Sequence, residues 1–194
     1  TYLSRVEALA GHWSHDHAVT VGMAPHSVRA VPSEWLEAIG RHGVTTGRVI
    51  HIHGCEQRRE LVECQAEYGR GPMSVFADLG LLSDRTTIVH GTHLDTDALC
   101  VLDSHRPTIC ACPTTERNLG DGFLPPKALL DRNIPIALGS DGQSQIDLWT
   151  DARLIEYNER LRDERRNVVA AYAPAVHGRQ ATAEPLWPML NRHG

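Results

Sequence analysis

Short, continuous apolar runs recur along the chain, each ending in polar residues and followed by a stretch with helical spacing. The first, Ala18 to Met23, runs into Ala24-Pro25-His26-Ser27. A helix is expected after it, with Ser33 as N-cap, Glu34, Leu36 and Ile39 at helical spacing, and Gly43 as its stop. The second run, Arg48 to His53, precedes a helix over Gln57 to Tyr68 that ends at Gly69. The third, Thr86 to His90, is followed by a helix that Asp95 or Thr96 can cap. The fourth is Pro107 to Cys112, and the fifth, Ile134 to Gly139, leads into Ser140-Asp141-Gly142 and a long charged helix over Leu148 to Ala171.

Apolar strands alternating with helices signal a parallel sheet buried on both faces, either doubly wound or a (β/α)8 barrel. The polar residues favour the barrel, because they gather at the C-terminal ends of successive strands, where barrel enzymes build their sites. No Gly-rich phosphate loop marks a switch point of the other architecture. A whole barrel takes about 250 residues. The expectation is therefore an α/β fold of the TIM-barrel type present as a C-terminal partial barrel, about strands four to eight, over residues 1–172. A Pro-rich, loosely attached tail over 173–194 completes it.

Composition changes this picture little. Of the 194 residues 41% are hydrophobic, enough for one core, and a formal charge of −5 gives no basic footprint for nucleic acid. No apolar run suits a membrane span and no secretory leader is visible. Five cysteines without scaffold spacing fit reduced thiols in a cytoplasm, with Cys110 and Cys112 read as small buried strand positions. The charges from Arg160 to Arg166 read as a solvated helix face, and the scattered tryptophans as packing residues with no stacking platform.

Histidine is the unusual component, with 12 copies. His51 and His53 share one strand face, and Glu56 follows just past the strand end. An imidazole for a metal beside a carboxylate for proton transfer suits metal-assisted hydrolysis. His90 ends the next strand, and Asp141 follows the fifth run. Each has an ordinary alternative, as a core histidine, a local hydrogen-bonding group or a helix cap. Taken together, a His, a His and an Asp at the ends of different parallel strands converge in space.

The segments VGMAPHSVRAVP (21–32), HIHGCEQRRE (51–60), IVHGTH (88–93), PTTERNLGDGFLP (113–125) and the stretch 139–167 resemble the amidohydrolase superfamily. Within it they resemble the zinc-dependent deaminase branch, and formimidoylglutamate deiminases most closely. The resemblance spans nearly the whole chain. It implies hydrolysis of N-formimino-L-glutamate to N-formyl-L-glutamate and ammonia by a zinc-activated water, with one zinc ion, or ferrous iron in its place. His53 and Asp141 would hold the metal, with Glu56, His90 and Asp141 catalytic. His26 and Arg29 would bind the carboxylates of a small-molecule substrate. The resemblance leaves a homodimer open. A relative acting on a purine, pterin or triazine, and a non-catalytic fragment, are the alternatives. The chain departs from the family in showing no strand-one His-x-His pair ahead of His26, since His12, His15 and His17 lie in a polar stretch, and in carrying Gln143 after Asp141-Gly142.

Overall fold

The computed structural model describes residues 1–142, 145–173 and 181–193. Gln143 and part of the expected tail, 174–180 and Gly194, lie outside the described residues. Helices α1 (Tyr2–His12) and α2 (Ser33–Thr46) precede strand β1 (Ile50–Gly54). Then come α3 (Arg58–Tyr68), α4 (Pro72–Asp78), β2 (Thr86–His90), α5 (Thr96–His105) and β3 (Thr108–Ala111). After them follow α6 (Pro113–Leu119), α7 (Pro126–Leu130), β4 (Ile136–Leu138), α8 (Leu148–Asp163) and α9 (Ala183–Asn191).

The strands pair in parallel and in sequential order, β1-β2-β3-β4, as an arc of a (β/α)8 barrel. Alternation along each strand explains the packing. Ile50, Ile52, Ile88, Ile109 and Ile136 are at most 3% exposed and form one apolar face of the sheet. His51, His53, Thr87, Val89, Thr108 and Cys110 alternate with them on the inner face and are at least partly exposed. Each buried isoleucine contributes about 1.5–3 kcal/mol by removal from water.

Four of the five expected strands form. The first run does not. Its last residue, Met23, and Ser27 in the segment after it make isolated parallel bridges to Ile50 and His53. Four steps along this segment answer three along β1, so one residue is extra, and Pro25 between the bridges has no N–H to donate. Helix α2 does not stop at Gly43 but runs to Thr46 and ends on left-handed Gly47, φ 66°. Gly43 is inside it because a Cβ there would lie 2.8 Å from Ile50 Cδ1, so the missing side chain lets the helix sit close on β1. Ser33 makes no side-chain cap and follows Pro32, the residue at the cap position.

Helix α8 is also shorter than expected. It starts on Asp147, whose Oδ1 accepts from the Trp149 and Thr150 amides, and ends at left-handed Glu164, φ 49°. The buried Glu156 carboxylate accepts from Val168 N at 3.1 Å and Val169 N at 2.8 Å, which folds the chain back into a short 3₁₀ turn over Val169–Tyr172. Arg160 and Arg162 pair with Glu156 and Glu159, both buried, so this helix face is not simply solvated. Part of the expected loose tail is packed: α9 buries Leu186 and Met189, and His193 Nδ1 donates to Ile136 O at 2.9 Å on β4. Its Trp187 meets Trp149 with ring centroids 5.5 Å apart, so these two tryptophans are not scattered in space. Among the described residues no helix is long and apolar enough to cross a membrane.

Candidate metal and proton-transfer site

The C-terminal ends of the strands bring together residues far apart in the chain. His53 is on β1, Glu56 on the turn after it, His90 ends β2, and Asp141 follows β4. One ligand atom from each of His53, His90 and Asp141 lies within 4.8 Å of the others, the spread of donors that could hold a metal ion. His53 Nε2 is 3.9 Å from Asp141 Oδ1, and His90 Nε2 is 3.7 Å from Asp141 Oδ2. Glu56 Oε1 is 3.6 Å from His90 Nε2.

Backbone conformation serves this convergence. Cys55 (φ 54°), His90 (φ 79°) and Asp141 (φ 45°) all lie in the left-handed region that side chains other than glycine rarely adopt. Cys55 and His90 mark the points where the chain leaves β1 and β2, and Asp141 lies three residues past the end of β4. At β2 the turn carries the His90 side chain into the mouth, and Gly54, in register with His90, has no side chain to crowd Met73 and Phe76.

Hydrogen bonds set the nitrogen roles. His53 Nδ1 lies 2.7 Å from the His26 carbonyl, which can only accept, so Nδ1 is the donor and Nε2 is the atom turned toward Asp141. His90 is fully buried, with Nδ1 3.3 Å from Glu116 Oε1. Its Nε2 is buried with no hydrogen-bond partner, although two carboxylates face it. A nitrogen lone pair aimed at two carboxylates is repulsive unless a cation or proton stands among them. Burial pulls the His90 pKa down, but the Glu116 hydrogen bond and the charges of Glu56, Glu116 and Asp141 outweigh it, and the net displacement is upward.

His26 and Arg29 reach the same mouth. The His26 ring stacks on His53 at 4.8 Å, and its Nδ1 lies 2.9 Å from Ser27 Oγ. Burial first, and then the neighbouring His53 ring and Arg29 guanidinium, hold the His26 pKa below its ordinary value. Arg29 does not stand free. Its guanidinium donates to Glu56 and lies 3.8 Å from Glu60.

Two buried acids were missed in the sequence. Glu60 accepts from Cys55 N at 3.0 Å and Glu56 N at 2.9 Å, fixing the turn that presents Glu56. Glu116 accepts from Cys112 N at 2.8 Å and also meets His90. Both lie in the first turn of the helix after a site-bearing strand, in Gln-Arg-Arg-Glu and Pro-Thr-Thr-Glu, and the capping pattern of an acid early in a helix was the signal that could have found them.

The amidohydrolase family profile matches residues 2–174. The chain belongs to the amidohydrolase family. Among relatives of this amidohydrolase, a formimidoylglutamate deiminase of Pseudomonas aeruginosa is 32% identical over 148 residues, which cover 76% of this chain and 32% of that protein. A 5-methylthioadenosine/S-adenosylhomocysteine deaminase of Bacillus cereus is 29% identical over 146 residues, 74% of this chain and 34% of that protein. The amidohydrolase chain thus spans about a third of the length of these curated relatives. An adenosine deaminase from Xanthomonas campestris, solved with bound zinc, superposes with a TM-score of 0.82 at 24% identity, over 88% of this chain and 40% of that one.

Proposed function

We propose that this chain carries the metal-binding and proton-transfer residues of a hydrolase that cleaves C–N bonds of amidines, with N-formimino-L-glutamate as substrate. The observation that carries the reading is the convergence of His53, His90 and Asp141, with Glu56 beside them, around a buried nitrogen that lacks a partner. Imidazole and carboxylate donors suit a zinc ion, with ferrous iron as the alternative, and His53 Nε2 and the Asp141 carboxylate would hold it. Bound there, it supplies Lewis acidity and lowers the pKa of a water toward neutrality.

The chain's own groups divide the remaining work. Asp141 accepts a proton from the attacking water. His90 Nε2, when protonated, donates a hydrogen bond to the oxygen that gains charge as the formimino carbon becomes tetrahedral. Glu56 passes a proton to the departing nitrogen, so ammonia leaves and N-formyl-L-glutamate remains. Arg29 and His26 take the substrate's carboxylates. A guanidinium has five donors in a fork, so Arg29 can keep Glu56 and still bind a carboxylate on its free edge.

The substrate assignment draws on the 32% identity with the Pseudomonas enzyme and on the Arg29 guanidinium and the His26 imidazole at the mouth. A purine-nucleoside deaminase is the second reading, favoured by the 29% identity with the Bacillus enzyme. A chimera in which these residues replace the matching third of the Pseudomonas protein separates the two. Ammonia released from N-formimino-L-glutamate supports the first reading. Release from 5′-methylthioadenosine alone replaces it with the second, and metal-loaded protein inert on both substrates overturns the catalytic reading.

A further inference from the structure

The first turn of α6 touches three different parts of the molecule with three consecutive residues, all buried. Thr114 N donates to Asp151 Oδ1 of α8 at 2.8 Å. Thr115 Oγ1 donates to the carbonyl of Ser140, the residue before Asp141, at 2.9 Å. Glu116 Oε1 accepts from Cys112 N and meets His90 Nδ1 at 3.3 Å. Asp151 is itself fully buried, so one end of the chain of contacts is anchored in the core.

We infer that Glu116 is a positioning residue that locks the ring of His90, and that the α6 turn holds His90 and the Asp141 segment in one fixed relation. The inference deepens, and rests on, the proposal that these two residues serve the hydrolytic site. Its physical basis is the donor inventory. Glu116 Oε1, which already accepts from the Cys112 amide, accepts in the same way from the close nitrogen of His90, so that nitrogen carries a proton. Nδ1 is then a donor in both the neutral and the charged ring. The neutral ring places its only lone pair at Nε2, the atom that faces Glu56 and Asp141. Without Glu116 the ring has no such constraint, and Nε2 can take the proton and close the position to a cation. The same oxygen holds the Cys112 amide, so the carboxylate cannot swing away without leaving a buried N–H unpaired.

The tautomer is readable in the metal-free chain, which separates this inference from the hydrolase reading. The chain is labelled with 15N-histidine, and the His90 signals are assigned by their loss in His90→Gln. At a pH where the ring is neutral, wild type is expected to show a protonated Nδ1 and a bare Nε2. Glu116→Ala is expected to shift the balance to the Nε2–H form. Glu116→Gln, whose amide oxygen still accepts, is expected to restore the wild-type pattern. A purely structural Glu116 would alter thermal stability in both variants and leave the tautomer alone. An Nε2–H tautomer in wild type overturns the inference outright, which keeps the test decisive even if the alanine variant does not fold. So does an unchanged tautomer in a folded Glu116→Ala protein. A correct tautomer with no ammonia released by the chimera would instead sink the hydrolase reading alone.

Discussion

At the scale of single residues, the site works by assigning each nitrogen and oxygen one role. The His26 carbonyl fixes the proton on His53, and Glu60 fixes the two amides behind Glu56. Glu56 is thereby held by its backbone, while its carboxylate is left to Arg29 and the mouth. Glu56→Gln keeps the size and the backbone contacts but cannot shuttle a proton. In the chimera, turnover is expected to fall by about 10²–10⁴-fold, the usual contribution of general acid–base transfer, with metal content unchanged by elemental analysis. Activity retained within tenfold would remove Glu56 from the mechanism. Residues placed at strand ends were legible in the sequence, because a polar side chain closing an apolar run has a defined direction. Glu60 and Glu116 were not, since an acid in the first turn of a helix looks the same whether it caps solvent-exposed amides or sits buried against another side chain of the site. Burial is what separates the two, and it comes from elements distant in sequence.

At the scale of elements, two contacts decide how pieces of the site are held. Thr115 ties α6 to the strand end that carries Asp141. Thr115→Val keeps the shape and removes the donor. The expected result is a metal affinity about tenfold weaker, the low end of losses from groups that support metal ligands, with an unchanged circular dichroism spectrum. Unaltered affinity in a folded variant would show that Ser140 needs no tether. Helix α1 is clipped to the start of β1 by Glu7, which accepts from Arg48 Nε at 2.7 Å and Nη2 at 3.0 Å and lies 2.7 Å from His42 Nε2. The Arg48 and His42 hydrogen bonds hold the Glu7 pKa down, from 4.5 to about 2. A carboxyl whose pKa is lower in the folded chain stabilises it above the unfolded value and loses that contribution as pH falls through the folded one. The melting-temperature gap between wild type and Glu7→Gln should therefore shrink as pH falls from about 4.5 to about 2. A gap that widens on acidification contradicts the clip. The clip and the early stop of α8 escaped the sequence for one reason: each depends on a charged side chain finding a partner from another element.

At the scale of the whole molecule, the recurrence of continuous apolar runs, each followed by a helix, was enough to read the parallel sheet and its barrel-type arc, because a continuous apolar run needs cover on both faces. It failed for the Ala18–Met23 run, because past its end Pro25 and an extra residue leave isolated bridges at Met23 and Ser27 in place of a full ladder. The core that results is concentrated behind the sheet. Ile88 lies at its centre and is 0% exposed. Ile88→Ala is expected to cost about 2–5 kcal/mol in denaturant unfolding, by lost burial and the cavity left behind. A loss below 1 kcal/mol would mean that the sheet does not pack as described. The sequential strand order carries a further consequence, for how the chain is made. Each of β2, β3 and β4 pairs with the strand synthesised just before it, so these units need no distant partner to join the sheet. The sheet can extend by one strand each time a unit leaves the ribosome. Within this stretch each new strand adds to the edge left by the last, and His193 Nδ1 later donates to Ile136 O on the outer edge of β4.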